Sequence, residues 1–506
     1  MRITNKIMQR NNLANINTNK VYQDTLSTQM STQKKISRPS DDPVVAIRAL
    51  RLRSNVTEVS QYYSKNIPDA ESWLNITEDA LKNHTEVLTN MISQVTKGSN
   101  GDLTSKDRQI ILEQLKALSG EVYSTANADY AGRYVFAGYR TDRSLSFTEE
   151  TKAQYQITQQ LHSSDVDQVT KVNTGALLNI TAGNYSAYTG VNENTIDSVD
   201  CYRIQLAYSN CDDGSDLMIN YGGTTKLATT MSINGAVNPY QAIQSQDNGL
   251  IFIPETGELL MGKNIHTEIM NLKDDAATMA DESEIRITYS KKEWQSGDLR
   301  PEHYFACTDS TDPTKPIEYN MDYLTDTAKG QVIEYDIGFN QTIRVNSTAD
   351  ECFQHGIGRS VEDMVVALED VNNIEEIVNT LESQLKLAST DADKQLLQTQ
   401  LDAANKAFTL AKDKTQKLFE KNITTLQGYL DDANLSITNC GTRSSKLELV
   451  KNRMQNQKTT FETLKSENED VDITEVAIQL NSAELTYEAA LMATGKIMQA
   501  TLLNYV

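Results

Sequence analysis

The chain has 506 residues and a formal charge of −22 at pH 7, a balance that argues against a protein built to hold nucleic acid or another polyanion. Its five cysteines (Cys201, Cys211, Cys307, Cys352, Cys440) are too sparse and too oddly numbered for a disulfide framework, and none sits at zinc-ligand spacing. No run of about 18 apolar residues exists and Met1 is followed by polar residues, so neither a membrane span nor a cleaved signal peptide is expected.

The first forty residues carry seven basic side chains (Arg2, Lys6, Arg10, Lys20, Lys34, Lys35, Arg38) against one acid, Asp24. An apolar stripe at helical spacing runs Ile3, Ile7, Leu13, Ile16, Val21, Leu26 and Met30. Six asparagines between Asn5 and Asn19 each cost about 0.6 kcal/mol of helix propensity, so this helix is expected to fray alone and to order on a partner surface. The next start is Ser40-Asp41-Asp42-Pro43. Asp42 can accept from the open first-turn amides, and Pro43 has no amide to leave unsatisfied. A further helix start is expected near Pro68, opening a heptad of Leu74, Leu81, Leu88 and Val95. The glycines at 98 and 101 stop it, and Ile111, Leu115, Leu118 and Val122 resume the pattern.

The middle changes character. No glycine occurs before Gly98 and none between Gly358 and Gly428, and no proline follows Pro316. Long helices exclude both residues and turns need them. Between Gly138 and Gly358 lie short alternating or β-branched runs such as Tyr202–Tyr208, Leu250–Pro254 and Ile285–Tyr289, parted by turn signals. After Gly358 helical stripes return: Val361 to Leu385, Leu397 to Leu430, Leu447 to Leu464. The last segment, from Glu467, holds seven acids against one base, Lys496, with Leu480, Leu491, Leu502 and Leu503 on its apolar side. Opposite charge steers the two ends together, so this stripe is expected to cover Ile7, Leu13 and Val21.

The expected fold is mainly α with a β-rich insert: a helical coiled-coil rod built by both flanks, carrying one or two small β-rich domains. Its predicted parts are an assembly segment 1–40 that pairs with 471–506, rod halves 41–145 and 351–470, and the insert 146–350. Chemistry is sparse. The five histidines (His84, His162, His266, His303, His355) are scattered, without a metal or catalytic pattern. His84 falls on the packing side of its helix. Gly356-Ile357-Gly358 reads as a flexible approach to a helix capped by Ser360 and Asp363. Asp212-Asp213-Gly214-Ser215-Asp216 lacks the glutamate that would close a calcium loop. No enzyme, cofactor or metal is expected.

Several segments carry a resemblance. "MRITNKIMQRNNLANI", "KKISRPSDDPVVAIRALRLRS", "NIPDAESWLNITEDAL" and "DVDITEVAIQLNSAELTYEAALMATGKIMQATLLNYV" resemble the flagellin-like axial proteins of bacterial flagella, and within them the hook-associated protein 3 family of the hook–filament junction. "AGRYVFAGYRTDRSLSF" and "YDIGFNQTIRVN" resemble the borders of that family's central insertion. Flagellin usually reads S-A-x-D-D-A-A-G where this chain has Arg38-Pro39-Ser40-Asp41-Asp42-Pro43, which sets the chain apart from it; a minor flagellin, in the same class but at another position, is the nearest rival. An enzymatic or adhesive insert is a more distant alternative. Composition alone reads as cytosolic. The resemblance implies instead export through the flagellar channel, paired termini lining that channel, and self-association in the axis. It also implies contact with flagellin and the hook-proximal junction protein, and a cytoplasmic export chaperone on the C-terminal region, with no nucleic acid or membrane partner.

Overall fold

The computed structural model describes residues 5–212, 217–235, 237–272, 285–324 and 331–499. Helices α1 (Asn5–Thr32), α2 (Pro43–Gln61), α3 (Ile67–Gly98) and α4 (Ser105–Ala126) lead into a short hairpin, β1 (Asp129–Tyr130) and β2 (Arg133–Tyr134). Then come β3 (Tyr155–Leu161), β4 (Val166–Asn173), β5 (Asp197–Gln205), β6 (Met218–Tyr221), β7 (Thr224–Leu227) and β8 (Thr229–Thr230). They are followed by α5 (Pro239–Gln244), β9 (Leu250–Ile253), β10 (Glu258–Met261), α6 (Lys263–Met270), β11 (Ile285–Lys291), β12 (Ala306–Asp309) and β13 (Ile317–Tyr319). The hairpin β14 (Glu334–Gly338) and β15 (Gln341–Arg344) precedes α7 (Ala349–Cys352), α8 (Gly356–Leu387), α9 (Asp391–Glu469) and α10 (Ile473–Gln499). Long helices at both ends thus bracket a β-rich middle.

These elements divide between two compact units. The terminal unit takes residues 1–70, 335–343 and 445–506, and the second takes 71–334 and 344–444.

In the second unit the heptad is a core: Leu74, Leu81, Leu88 and Val95 are all fully buried. Helix α4 opens on a reciprocal cap, with Thr104 Oγ1 accepting from the Asp107 amide and the Asp107 carboxylate accepting from the Thr104 amide. A six-stranded antiparallel sheet runs β13-β12-β3-β11-β6-β7. Alternation along β3 and β11 turns Tyr155, Ile157, Ile285, Ile287 and Tyr289 inward. A five-stranded sheet runs β4-β5-β10-β9-β8, antiparallel but for β8 beside β9.

The β-rich middle does not keep its hydrophobic residues to itself. Leu177, Ile180, Val191 and Ile196, from the excursion between β4 and β5, share one core with Val371, Ile374, Val378 and Leu381 of α8 and with Leu397, Leu401 and Ala404 of α9. Gln400 reinforces it, donating to the carbonyls of Tyr185 (2.9 Å) and Tyr188 (3.0 Å). The insert thus has one core of its own, around Cys201, Tyr240 and Ile251, and a second shared with helices far away in sequence.

One local expectation is refined and one corrected. Helix α3 starts at Ile67, beside Pro68 as expected, but it runs on from α2 without a break. A π turn, Tyr62–Asn66, links α2 to α3, and the Ile67 amide donates to the Tyr62 carbonyl five residues back. That wider turn makes room for a proline ring that would collide with an ordinary α-helical turn. Ser360 and Asp363 do not cap α8, whose first residue is Gly356. The Gly358 amide donates to Tyr123 Oη at 2.9 Å instead, and Asp363 is taken up by Arg203. Here the glycines are needed for close approach: a Cβ on Gly356 would stand 2.2 Å from Tyr429 Oη.

Candidate functional site

The sequence points to the two ends of the chain, and the terminal unit brings them together. Asp42 caps α2, its Oδ1 accepting from the amides of Val44 (2.9 Å) and Val45 (3.1 Å), with Pro43 in the first turn. Asp41 ties the preceding turn: its Oδ2 accepts from the amides of Ser37 (3.0 Å) and Arg38 (2.8 Å). The Arg38 hydrogen bond holds its carboxyl below the usual carboxylate range. Sequence reading gave Asp41 no role, although an aspartate three to four residues after a Ser-Arg pair is a recognisable turn signal.

The turn leads into a clasp. The Lys35 amide donates to the Glu469 carbonyl (2.8 Å), and the Val471 amide to the Gln33 carbonyl (3.2 Å). Arg53 grips Glu469 with two parallel bonds, Nε to Oε1 at 2.6 Å and Nη2 to Oε2 at 2.7 Å. Lys34 pairs with Asp470 and lies 3.6 Å from Glu469. Those hydrogen bonds, Arg53 on Glu469 and Lys34 on Asp470, hold both carboxyls below their ordinary values. The opposite charge of the two ends is concentrated at this point. Among the described residues, Lys6, Arg10, Lys20 and Arg38 form no ion pair with α10.

Beyond the clasp α1 and α10 lie side by side. Their shared core is narrow: Leu26 at 2% exposure meets Val476 and Ala483, with Val471 and Leu480 half-buried beside them. Ile16 is also buried. Tyr22 Oη donates to Gln479 (3.3 Å) and Gln23 to Glu484 (3.5 Å) along the rim. The asparagine-rich α1 is helical from Asn5 to Thr32, with Leu26 covered by Val476 and Ala483 of α10.

The partner stripe does not cover everything assigned to it. Ile7, Leu13, Val21 (67% exposed) and Leu491 face solvent. They are joined by apolar residues that sequence reading did not single out: Val44, Ile47 and Leu50 on α2, and Ile478, Leu485 (68%) and Met492 on α10. Ile3, Leu502 and Leu503 lie outside the described residues. The physical reason is width. Two helices in contact can bury one stripe each, and both of these carry apolar residues over more than one face.

Among the described residues no group of three His, Cys, Asp or Glu side chains is placed to hold a metal ion, the five cysteines are buried thiols, and no helix is long and apolar enough to cross a membrane. Residues 213–216 of the acidic turn lie outside the described residues.

Residues 3–141 match the family model described as the bacterial flagellin N-terminal helical region. The chain is 31% identical over 143 residues to flagellar hook-associated protein 3 of Salmonella typhimurium, covering 28% of this chain and 45% of that protein. It is 31% identical over 151 residues to its namesake in Escherichia coli, covering 30% and 47%. The chain therefore spans about half the length of the curated relatives it matches. Among solved structures, FlgL of Xanthomonas campestris aligns over 82% of this chain and 99% of its own, at 13% identity and a TM-score of 0.31.

Proposed function

We propose that this chain, flagellin-like through its N-terminal helical region, is a structural subunit of the bacterial flagellar axis that joins the hook region to the flagellin filament. The observation that carries this reading is the open apolar surface on α1, α2 and α10. A helix pair closed on Leu26, Val476 and Ala483 but bare at Val21 and Leu485, with Ile47 of α2 bare as well, is fitted to pack against further helices, as successive subunits of a polymer supply. Assembly then uses Ile7, Leu13, Ile16, Val21, Leu480 and Leu491, together with Ile3, Leu502 and Leu503. The partners are other copies of the chain, flagellin on one side and the hook-proximal junction protein on the other. The subunit acts outside the cell after export through the flagellar apparatus, and a cytoplasmic chaperone covers the C-terminal region beforehand. The work is mechanical, with no reaction or cofactor.

Removing residues 480–506 tests this. The deletion takes away Leu480, Ala483, Leu485 and Leu491, and with them most of α10's contribution to the pair. In cells lacking the native protein it should abolish filaments seen by electron microscopy and raise leaked flagellin in the medium. Normal filament growth with the deletion would refute the reading. A minor flagellin is the second reading, favoured by the flagellin family match over residues 3–141. Immunogold labelling of isolated flagella separates them: one spot at the hook–filament boundary for a junction subunit, label along the whole filament for a flagellin.

A further inference from the structure

A cavity of about 250 Å³ opens in the second unit between β4 and helices α8 and α9. One wall is apolar, made by Val172, Leu178, Ile374, Ala411 and Leu418. The other is cationic. Lys171, Lys414 and Lys417 all line it, and among the described residues none of the three has a carboxylate within ion-pair distance. Lys414 donates only to the Lys171 carbonyl, at 3.2 Å. Burial pushes that ammonium down to about 8, outweighing the opposing charges of Asp200 and Asp197.

Arg203 also lines the cavity. It is 3% exposed and its two terminal nitrogens serve Glu258, Asp363 and Asp167, while its Nε–H has no partner. A buried guanidinium with an idle donor costs stability unless an acceptor reaches it. Lys421, by contrast, is paired with Asp167. The remaining carboxylate on the lining, Asp370, forms no ion pair among the described residues; burial raises it, against the opposing charge of Lys171. So in a chain of strongly negative net charge, this cavity gathers lysines that form no ion pair among the described residues, Lys171 resting over the Tyr240 ring at 5.4 Å, beside bare hydrocarbon. Packing alone gives no reason for that combination, since a structural void is normally apolar or has its charges paired.

We propose that the cavity binds a small organic monocarboxylate, its hydrocarbon body against Val172, Leu178, Ile374 and Leu418 and its carboxylate toward Lys414 and Lys171. A monoanion fits better than a dianion such as phosphate, because Asp370 repels a second negative charge and phosphate leaves the apolar wall wet. The residues involved belong to β4, α8 and α9 and not to α1 or α10, so the site is independent of the assembly reading and fails or stands separately from it.

Isothermal titration of the full chain with hexanoate, hexanol and inorganic phosphate tests the proposal. Hexanoate should bind one site saturably, while hexanol and phosphate should give no saturable heat at the same concentrations. Lys414→Gln and Leu178→Asp should each weaken hexanoate binding by at least about tenfold, with circular dichroism showing both variants folded. Leu178 is half-exposed on the cavity wall, so its replacement leaves the buried core intact. No saturable hexanoate binding up to about 10 mM, a concentration at which even millimolar affinity is visible, would overturn the proposal. So would tighter binding of phosphate than of hexanoate, or unchanged affinity in both variants.

Discussion

The two units put similar sequence patterns to opposite uses. In the second unit the apolar spacing of α3 is covered on every side, and Leu74, Leu81, Leu88 and Val95 retain no exposed surface. In the terminal unit α1 and α10 have comparable stripes, yet Val21 and Leu485 stay two-thirds open while Leu26 and Val476 close. What differs is the number of neighbours. The stripe of α8 and α9 is covered partly by an excursion from a sheet, and the stripes of α1 and α10 have only each other and one clasp. A periodic pattern announces that a face will be buried, and says nothing about whether the covering residues belong to the same chain.

The strongest way to break that contrast is to uncover the second unit. Asn173 pairs with Asp197 across β4 and β5, so residues 174–196 can be replaced by an Asn-Gly turn without parting the strands. This removes Leu177, Ile180, Val191 and Ile196, each worth about 1.5–3 kcal/mol of burial, and bares Val371 and Leu381. The loss should exceed about 6 kcal/mol, comparable with a domain's whole stability. A variant that keeps a cooperative melt within a few degrees of the parent would show that the insert does not share the helices' core.

Next in size are Leu81→Ala and Leu88→Ala, each expected to cost about 2–5 kcal/mol in chemical denaturation through the cavity left behind. Changes below about 0.5 kcal/mol would mean the heptad is a surface.

Acid should strike the second unit as well. His84 is packed against Phe353 with ring centroids 4.3 Å apart, and His355 lies against Phe305 at 5.3 Å. Burial lowers both to about 4. Since the unfolded imidazole titrates near 6.5, the unfolded state binds more protons between those values. Stability is therefore full above about pH 6.5 and falls as pH drops toward 4, by at most about 3 kcal/mol per histidine. His84→Leu should flatten part of that slope in denaturation midpoints taken across the window. An identical slope in the variant would remove His84 from the account.

The smallest effect sharpens the comparison most. Val21→Ser and Leu485→Ser replace exposed side chains and should shift the melting of the single chain by no more than about 0.5 kcal/mol. Together they should nevertheless lower incorporation into flagella, scored by electron microscopy. A marked loss of monomer stability would show that these faces are already covered within the chain.

Much of this was legible beforehand. The helical flanks followed from where glycine and proline are missing, the cap at Asp42-Pro43 from local rules, and the buried heptad from its period. The failures have physical causes. Leu177, Ile180, Val191 and Ile196 have no period, and their partners on α8 and α9 lie about two hundred residues on, so nothing local revealed a shared core. The start near Pro68 was legible, but its continuity with α2 was not, because a sequence does not display a π turn. Asp363 looked like a cap because its true partner, Arg203, sits on a strand whose position no pattern gives. At the termini the charge imbalance was plain, but its concentration on Glu469 and Asp470 depended on Arg53, which lies outside the basic segment.

The π turn at Tyr62–Asn66 acts as a phase shifter. One residue more than an α-helical turn rotates α2 by about 100° relative to residues 67–70 that follow it. The hairpin β14–β15 holds that offset in place: Asn66 donates to the Asp336 carbonyl at 2.8 Å, Tyr62 meets Phe339 edge to face at 5.8 Å, and Tyr335 bonds Asp69. Upstream of the offset stands Arg53, aimed at Glu469. In angular terms, the aim of the clasp that joins the two ends of the chain is set by a single surplus residue nine positions away.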